Sequence, residues 1–270
     1  VVMITTKTGK KNKGLGIEYN GGLQWSTILR LPEFQNEFGM GWNGDHTELE
    51  NGSWGPRFDG SMQLWGNKYE NSQKLKPYSP IKNNIKDFFD AGFRYNNSVS
   101  FNGATDKSEY YVSFSQISDD GMVPTDADSY DKYTFSARGS HKVKALTFSS
   151  SLNYSYQKNK FATTGQGLTM LNSLYQTPRD VSIISLQDQN DIFNSPGYFY
   201  TPYGVMNPYY ILENYLNEYD AERFYGKFQV DYDFLKYFKF TYRMGLDTTT
   251  GQSNRGEPNL YALFYEGTPN

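Results

Sequence analysis

The sequence predicts an all-β chain whose antiparallel strands follow one another up and down. Three observations carry this expectation. The first is a period of two, which a strand imposes by pointing successive side chains to opposite faces. It is clearest in Asp131–Gln157, two strands joined by a short turn. In the second strand Leu146, Phe148, Ser150, Leu152, Tyr154 and Tyr156 share one face, and Thr147, Ser149, Ser151, Asn153 and Ser155 the other. The second observation is an aromatic content of 17%, with 24 Tyr and 19 Phe, which suits strands, carbohydrate-binding faces and membrane-interface belts alike. The third is a regular alternation of long and short connections.

Taken in order, the chain opens on an apolar, strand-like run, Val1-Val2-Met3-Ile4-Thr5-Thr6, closed by Gly9 and the basic residues Lys10, Lys11 and Lys13. Strands are expected near residues 16–26, 93–102, 109–118, 131–141, 146–156, 224–233 and 238–247. Ile17, Tyr19, Gly21, Leu23 and Trp25 alternate with Glu18, Asn20, Gly22 and Gln24 in the first of these. Phe93, Tyr95, Asn97, Val99 and Phe101 mark the next, and Tyr133, Phe135, Ala137 and Gly139 the fourth, with Lys132, Thr134, Ser136 and Arg138 opposite. Phe224, Gly226, Phe228, Val230 and Tyr232, then Phe238, Phe240, Tyr242, Met244 and Leu246, mark the last two.

The connections at 27–92, 119–130 and 158–223 are long, and a long tail follows from 248; those at 103–108, 142–145 and 233–237 are short. The segment 27–92 is rich in Gly, Asn, Pro and Trp, with a short helix expected at Ile81–Phe89. The segment 158–223 contains a helical turn at Leu168–Tyr175 and the Pro/Tyr-rich run Ser195–Pro202. Outer-membrane barrels have short turns on one side and long loops on the other. Aromatics near strand ends, Trp25, Tyr133, Tyr154 and Tyr156 on the long-loop side and Tyr19, Tyr232 and Phe238 on the other, fall where interface belts belong. The expected fold is therefore a segment of a transmembrane antiparallel up-and-down β-barrel with long extracellular loops. The alternative is a soluble, aromatic-rich β-sandwich that binds polysaccharide. The two differ in what the apolar face touches.

No apolar run approaches the roughly 20 residues of a spanning helix, a limit that leaves strands of about 9–11 alternating residues untouched. A formal charge of -3 argues against a general nucleic-acid binder, and the absence of Cys against disulfides or thiolate metal sites. Gly14-Leu15-Gly16 continues to Tyr19 where a dinucleotide fingerprint needs Gly, and Ile4 stands where a phosphate-binding loop needs its first Gly. Asp126, Asp128 and Asp131 lack the spacing of a calcium loop, since Tyr130, Asp131 and Ala137 fall at its fifth, sixth and twelfth positions. His46 and His141 have no defensible Ser/His/Asp order around them. No catalytic residue, metal ligand or cofactor is expected.

Several short motifs, in series, resemble the SusC/RagA family of TonB-dependent outer-membrane transporters. Val1-Val2-Met3-Ile4-Thr5-Thr6-Lys7-Thr8-Gly9-Lys10 looks like the end of that family's plug domain. Phe34-Gln35-Asn36-Glu37-Phe38-Gly39 and Ser53-Trp54-Gly55-Pro56-Arg57-Phe58-Asp59-Gly60 look like its first extracellular loop. Phe88-Phe89-Asp90-Ala91-Gly92, Tyr110-Tyr111-Val112-Ser113-Phe114-Ser115, Asp120-Gly121-Met122-Val123-Pro124, Thr164-Gly165-Gln166-Gly167 and Thr177-Pro178-Arg179-Asp180-Val181 continue the series to about residue 185. The resemblance implies a 22-stranded barrel, with residues 1–10 closing the plug and 11–270 forming the N-terminal part of the wall. The chain is thus expected to be an internal piece of a longer protein. It also implies a bacterial outer-membrane location, a SusD-like surface lipoprotein as partner, energy supplied through TonB, and a cargo of oligosaccharides or peptides.

The candidate substrate-binding residues are loop aromatics with polar neighbours: Trp42, Trp54, Arg57, Asp59 and Trp65. Flat aromatic faces stack on sugar rings, and Arg or Asp can hydrogen-bond hydroxyls. The plain alternative for Trp54 and Arg57 is that they fix a tight Gly/Pro loop.

Overall fold

A computed structural model describes residues 16–234 and 237–259. Seven of its strands form one antiparallel sheet in which each strand pairs with the next along the sheet. These are β1 (Gly16–Ser26), β4 (Gly92–Ala104), β5 (Ser108–Asp119), β6 (Ser129–Val143), β7 (Leu146–Lys160), β8 (Leu216–Phe234) and β9 (Phe238–Gly256). Every pairing keeps its register from end to end. The short connections lie on one side of the sheet and the long ones on the other, as the alternation predicts. The β6–β7 turn is two residues, with Lys144 in the left-handed region at φ 55. Among the described residues β1 and β9 are the two edges, so the sheet is open: a piece of barrel wall. The expected plug end at 1–10 lies outside the described residues.

The two faces differ as the alternation requires. Phe148, Leu152, Tyr154, Phe135, Phe228 and Met244 are exposed on the outer face, with no second sheet packed over them among the described residues. On the inner face Ser136 and Asn153 are buried and hydrogen-bond across the β6–β7 pair at 2.8 Å. A sandwich would bury the first set.

The strands run past their expected ends. β7 continues to Lys160, β8 begins at Leu216 and β9 reaches Gly256. Beyond Tyr156 and Phe224 the outer face turns charged, with Lys158 opposite Asp220 and Lys160 opposite Glu218. The apolar signal ends there, but the backbone ladder needs no apolar face and goes on. The aromatics Tyr133, Tyr154 and Tyr156 therefore mark the edge of an apolar band, not the ends of strands.

That band crosses the sheet obliquely. The row of paired residues through Gly21 passes Asn97, Gln116, Tyr133, Tyr156 and Glu222 and ends at Thr250. Gly21 is the middle of the β1 band, Ile17 to Trp25, whereas the β9 band, Phe238 to Leu246, is centred on Tyr242. The band has slipped by about eight residues over six neighbouring pairs, which at ~3.4 Å rise and ~4.8 Å spacing is a slope of about 40–45°. Strands of membrane barrels tilt by about 35–45°.

Above the wall sits a second structure made of the long connections. Its elements are the hairpin β2 (Met62–Tyr69) and β3 (Ser72–Pro77), the helices α1 (Met170–Gln176) and α2 (Pro208–Asn214), two 3-10 turns at Ile184–Leu186 and Ile192–Asn194, and a third 3-10 turn at Lys86–Phe88. Only that turn forms where a helix was expected over Ile81–Phe89, because Asn84 turns its side chain to the chain at 181–183 instead of to its own helix. The core of the whole described chain lies in this layer, around Met40, Trp65, Phe88, Leu174, Ile183 and Tyr209.

Candidate functional site in the loop layer

The layer is a tertiary structure without long regular elements, so its buried backbone groups need partners from side chains. Three buried asparagines supply them. Asn84 donates to Val181 O at 2.6 Å and accepts from Ile183 N at 2.9 Å. Asn194 donates to Ser185 O and Asp188 O at 2.9 Å each. Asn207 donates to Leu186 O and Asn194 O and caps α2 by accepting from Tyr209 N at 3.0 Å.

The segment Thr177–Val181 ties the two long loops together. Asp180 accepts the Met40 N–H at 2.9 Å and forms an ion pair with Lys76, both side chains being buried. The Lys76 ammonium lies 5.5 Å from the Trp65 ring and 5.9 Å from that of Tyr78. Burial pulls the Lys76 pKa below the usual lysine range, against the attraction of Asp180. Arg179 donates to Gln35 O at 3.0 Å, Asn36 Oδ1 at 2.9 Å and Ile81 O at 3.1 Å, with its guanidinium over Phe34. Burial lowers its pKa as well.

The five candidate residues separate. Trp65 is 5% exposed, packed on Tyr200 at 5.6 Å and under the ammonium groups of Lys74 and Lys76. Its ring is part of the core, a correction to the expectation of a free stacking face. Asp59 accepts from Ser61 N at 2.9 Å and Ser61 Oγ at 2.7 Å, which holds its carboxyl below the usual range and forms the turn into β2. Arg57 is exposed, pairs with Glu37 at 2.8 Å and lies 5.0 Å over Phe38. Trp42 and Trp54 come together, 54% and 69% exposed, with ring centroids 6.5 Å apart at 76°.

The two indoles stand on a rigid base. Gly41 N donates to Gly52 O, Trp54 N to Gly41 O, Trp42 N to Asp45 O and Gly44 N to Trp54 O, all between 2.8 and 3.2 Å. Gly41 has φ +143, and a Cβ there would run into the Asp45 carbonyl. Beside the rings opens a groove of about 410 Å³ lined by Phe34, Phe38, Glu50, Asn51, Tyr175 and Gln176 among others. Two large apolar side chains held in water on a fixed backbone add little to folding, so their place is best explained by something they touch. A larger cavity, about 740 Å³, lies on the inner face of the wall against Tyr111, Arg138, Ser149, Ser151, Lys227 and Asp247.

Sequence reasoning passed over Lys76, the three asparagines, the β2–β3 hairpin and α2. Only the helix carried a readable signal: Asn207-Pro208 is a cap followed by Pro at the first helical position.

No protein-family model matches the chain, and no curated protein matches it. Solved structures do. The RagAB peptide importer in its "closed-closed" state superposes with a TM-score of 0.56 at 14% identity, over 92% of this chain and 29% of that one. The same importer in its "open-open" state gives a TM-score of 0.57 at 14% identity, with the same coverage. The chain thus spans less than a third of the length of the importer chains it matches, and at this identity what it shares with them is the fold of the wall and its loops.

Proposed function

We propose that the chain is part of a SusC-like active transporter of the bacterial outer membrane that imports oligosaccharides or peptides. The observation that carries this reading is the oblique apolar band. A planar slab of lipid cutting across strands tilted by about 40° wets a stripe that slips steadily from strand to strand. A protein partner has no reason to follow that line. The likeness to the RagAB peptide importer supports the same reading. In lipid the edges of β1 and β9 need partners, since bare N–H and C=O groups find no water there, so further strands complete the wall. In this reading residues 1–10 close a plug, a SusD-like lipoprotein caps the loop layer, TonB supplies the energy, and the chain is not an enzyme.

The test is location and uptake of the full-length protein. It is expected in the outer-membrane fraction, released only by detergent, and cells lacking it or TonB are expected to lose uptake of labelled oligosaccharides or peptides. Recovery as a soluble monomer without detergent would replace this reading with the polysaccharide-binding module.

A further inference from the structure

We infer that the groove beside Trp42 and Trp54 is a receptor for a cationic side chain, a lysine or arginine carried by a peptide. The inference rests on the importer reading and names its substrate class. The loop layer shows what its aromatic rings do elsewhere. Arg57 lies over Phe38 at 5.0 Å, Arg179 over Phe34 at 5.4 Å, and Lys74 and Lys76 over Trp65 at 5.8 and 5.5 Å. Each of those rings holds a cation of the chain itself. Among the described residues no cation lies over Trp42 or Trp54, yet they present two faces near a right angle, two walls of an aromatic box.

The charge complements the shape. Glu50 lines the same groove, half-buried, and its carboxylate accepts the Asn51 N–H at 2.9 Å. No cation of the described residues pairs with it. A Cβ placed on Gly52 would touch Glu50 Oε1 at 3.7 Å and the Trp54 ring at 3.4 Å, so carboxylate and indole flank one small space. The amides that would serve a sugar are already engaged: Gln35 bonds Phe38 O and Ser53 O, and Gln176 bonds Asn51 and Asn172. Arg179 also lines the groove, but its guanidinium is committed to Gln35 O, Asn36 Oδ1, Ile81 O and the Phe34 ring. What remains open is the indole surface and the Glu50 carboxylate, which suit an ammonium or guanidinium better than hydroxyls.

The experiment uses the full-length protein in detergent and three probes: a short peptide with one lysine, the same peptide with norleucine in its place, and maltoheptaose. The lysine peptide is expected to bind about tenfold more tightly than the norleucine one. Trp54→Ala and Glu50→Gln are each expected to cut that ratio to about threefold or less; both change exposed or half-buried side chains, and Trp42→Phe, which keeps a ring, is expected to retain most of it. Equal binding of the two peptides, no binding of either, or a ratio untouched by Trp54→Ala and Glu50→Gln would overturn the inference. So would maltoheptaose binding that Trp54→Ala abolishes, which would make the groove a sugar platform. Each of these results, found beside intact TonB-dependent uptake, leaves the importer reading standing; loss of outer-membrane location strikes that reading instead.

Discussion

The wall and the loop layer are built by opposite means. In the wall a backbone ladder of six continuous pairings does the holding, and side chains only have to match the medium on each face. In the loop layer the ladder is reduced to a short hairpin and scattered bridges, and single side chains hold segments that are far apart in sequence. Damage should therefore spread differently. One substitution in the wall perturbs one row. One substitution at a tie point in the layer releases a whole loop.

The largest effect is expected at Asp180. Asp180→Ala leaves the Lys76 ammonium buried without a partner and the Met40 N–H without an acceptor. Breaking a buried pair in this way costs about 3–5 kcal/mol. The layer should become sensitive to protease while the barrel keeps its resistance to unfolding in detergent. The double variant Asp180→Leu with Lys76→Met removes both charges and should recover most of the loss. If Asp180→Ala unfolded wall and layer together, the two regions would be one cooperative unit.

A smaller effect is expected from Leu152→Arg. Leu152 sits near the middle of the outward band, between Ala137 and Gly226, and is 39% exposed. In the proposed transporter this face meets lipid, and a charge at its midplane costs about 2–4 kcal/mol. Ser151→Arg points the same charge to the inner face and should assemble normally. Equal assembly of Leu152→Arg and wild type in the outer membrane would mean that the outward face meets something other than lipid.

The same contrast explains what was legible in the sequence. A strand repeats its instruction at every second residue, so all seven wall strands could be read from their alternation. Their ends could not, because Lys158, Asp220 and Glu218 remove the apolar signal while the hydrogen bonds continue. In the layer each instruction is given once. Asn84, Asn194 and Asn207 look like ordinary loop residues until their backbone partners come close. Trp42, Trp54 and Trp65 are chemically identical, and only packing divides two exposed rings from one core ring. Pairing of Trp42 with Trp54, twelve residues apart across a Gly-rich turn, was not visible as a spacing pattern.

The smallest effect is expected at Tyr78, and it separates the regions by pH. Tyr78 is 1% exposed, packs on Phe58 at 5.0 Å and His46 at 5.5 Å, and donates from its hydroxyl to Pro56 O at 2.9 Å. Burial, and then the nearby charges of Asp180 and Asp59, push its pKa up from 10.0 to about 12. A group held above its unfolded value gives stability that is complete below pH 10 and drains away as pH rises toward 12. Protease resistance of the layer should therefore fall across that window. Lys76 lies beside the ring and, because burial lowers its pKa, its own deprotonation works against the fall as pH rises toward 10.5, so the comparison must be with Tyr78→Phe rather than with neutral pH alone. That variant should start about 1 kcal/mol less stable through the lost hydrogen bond, and then lose less between pH 10 and 12 because no phenol remains to ionise. Parallel losses in both proteins would show that the alkaline weakness does not come from the Tyr78 phenol. In either case the wall should keep its β signal through the window, since the amides of its ladder do not titrate there.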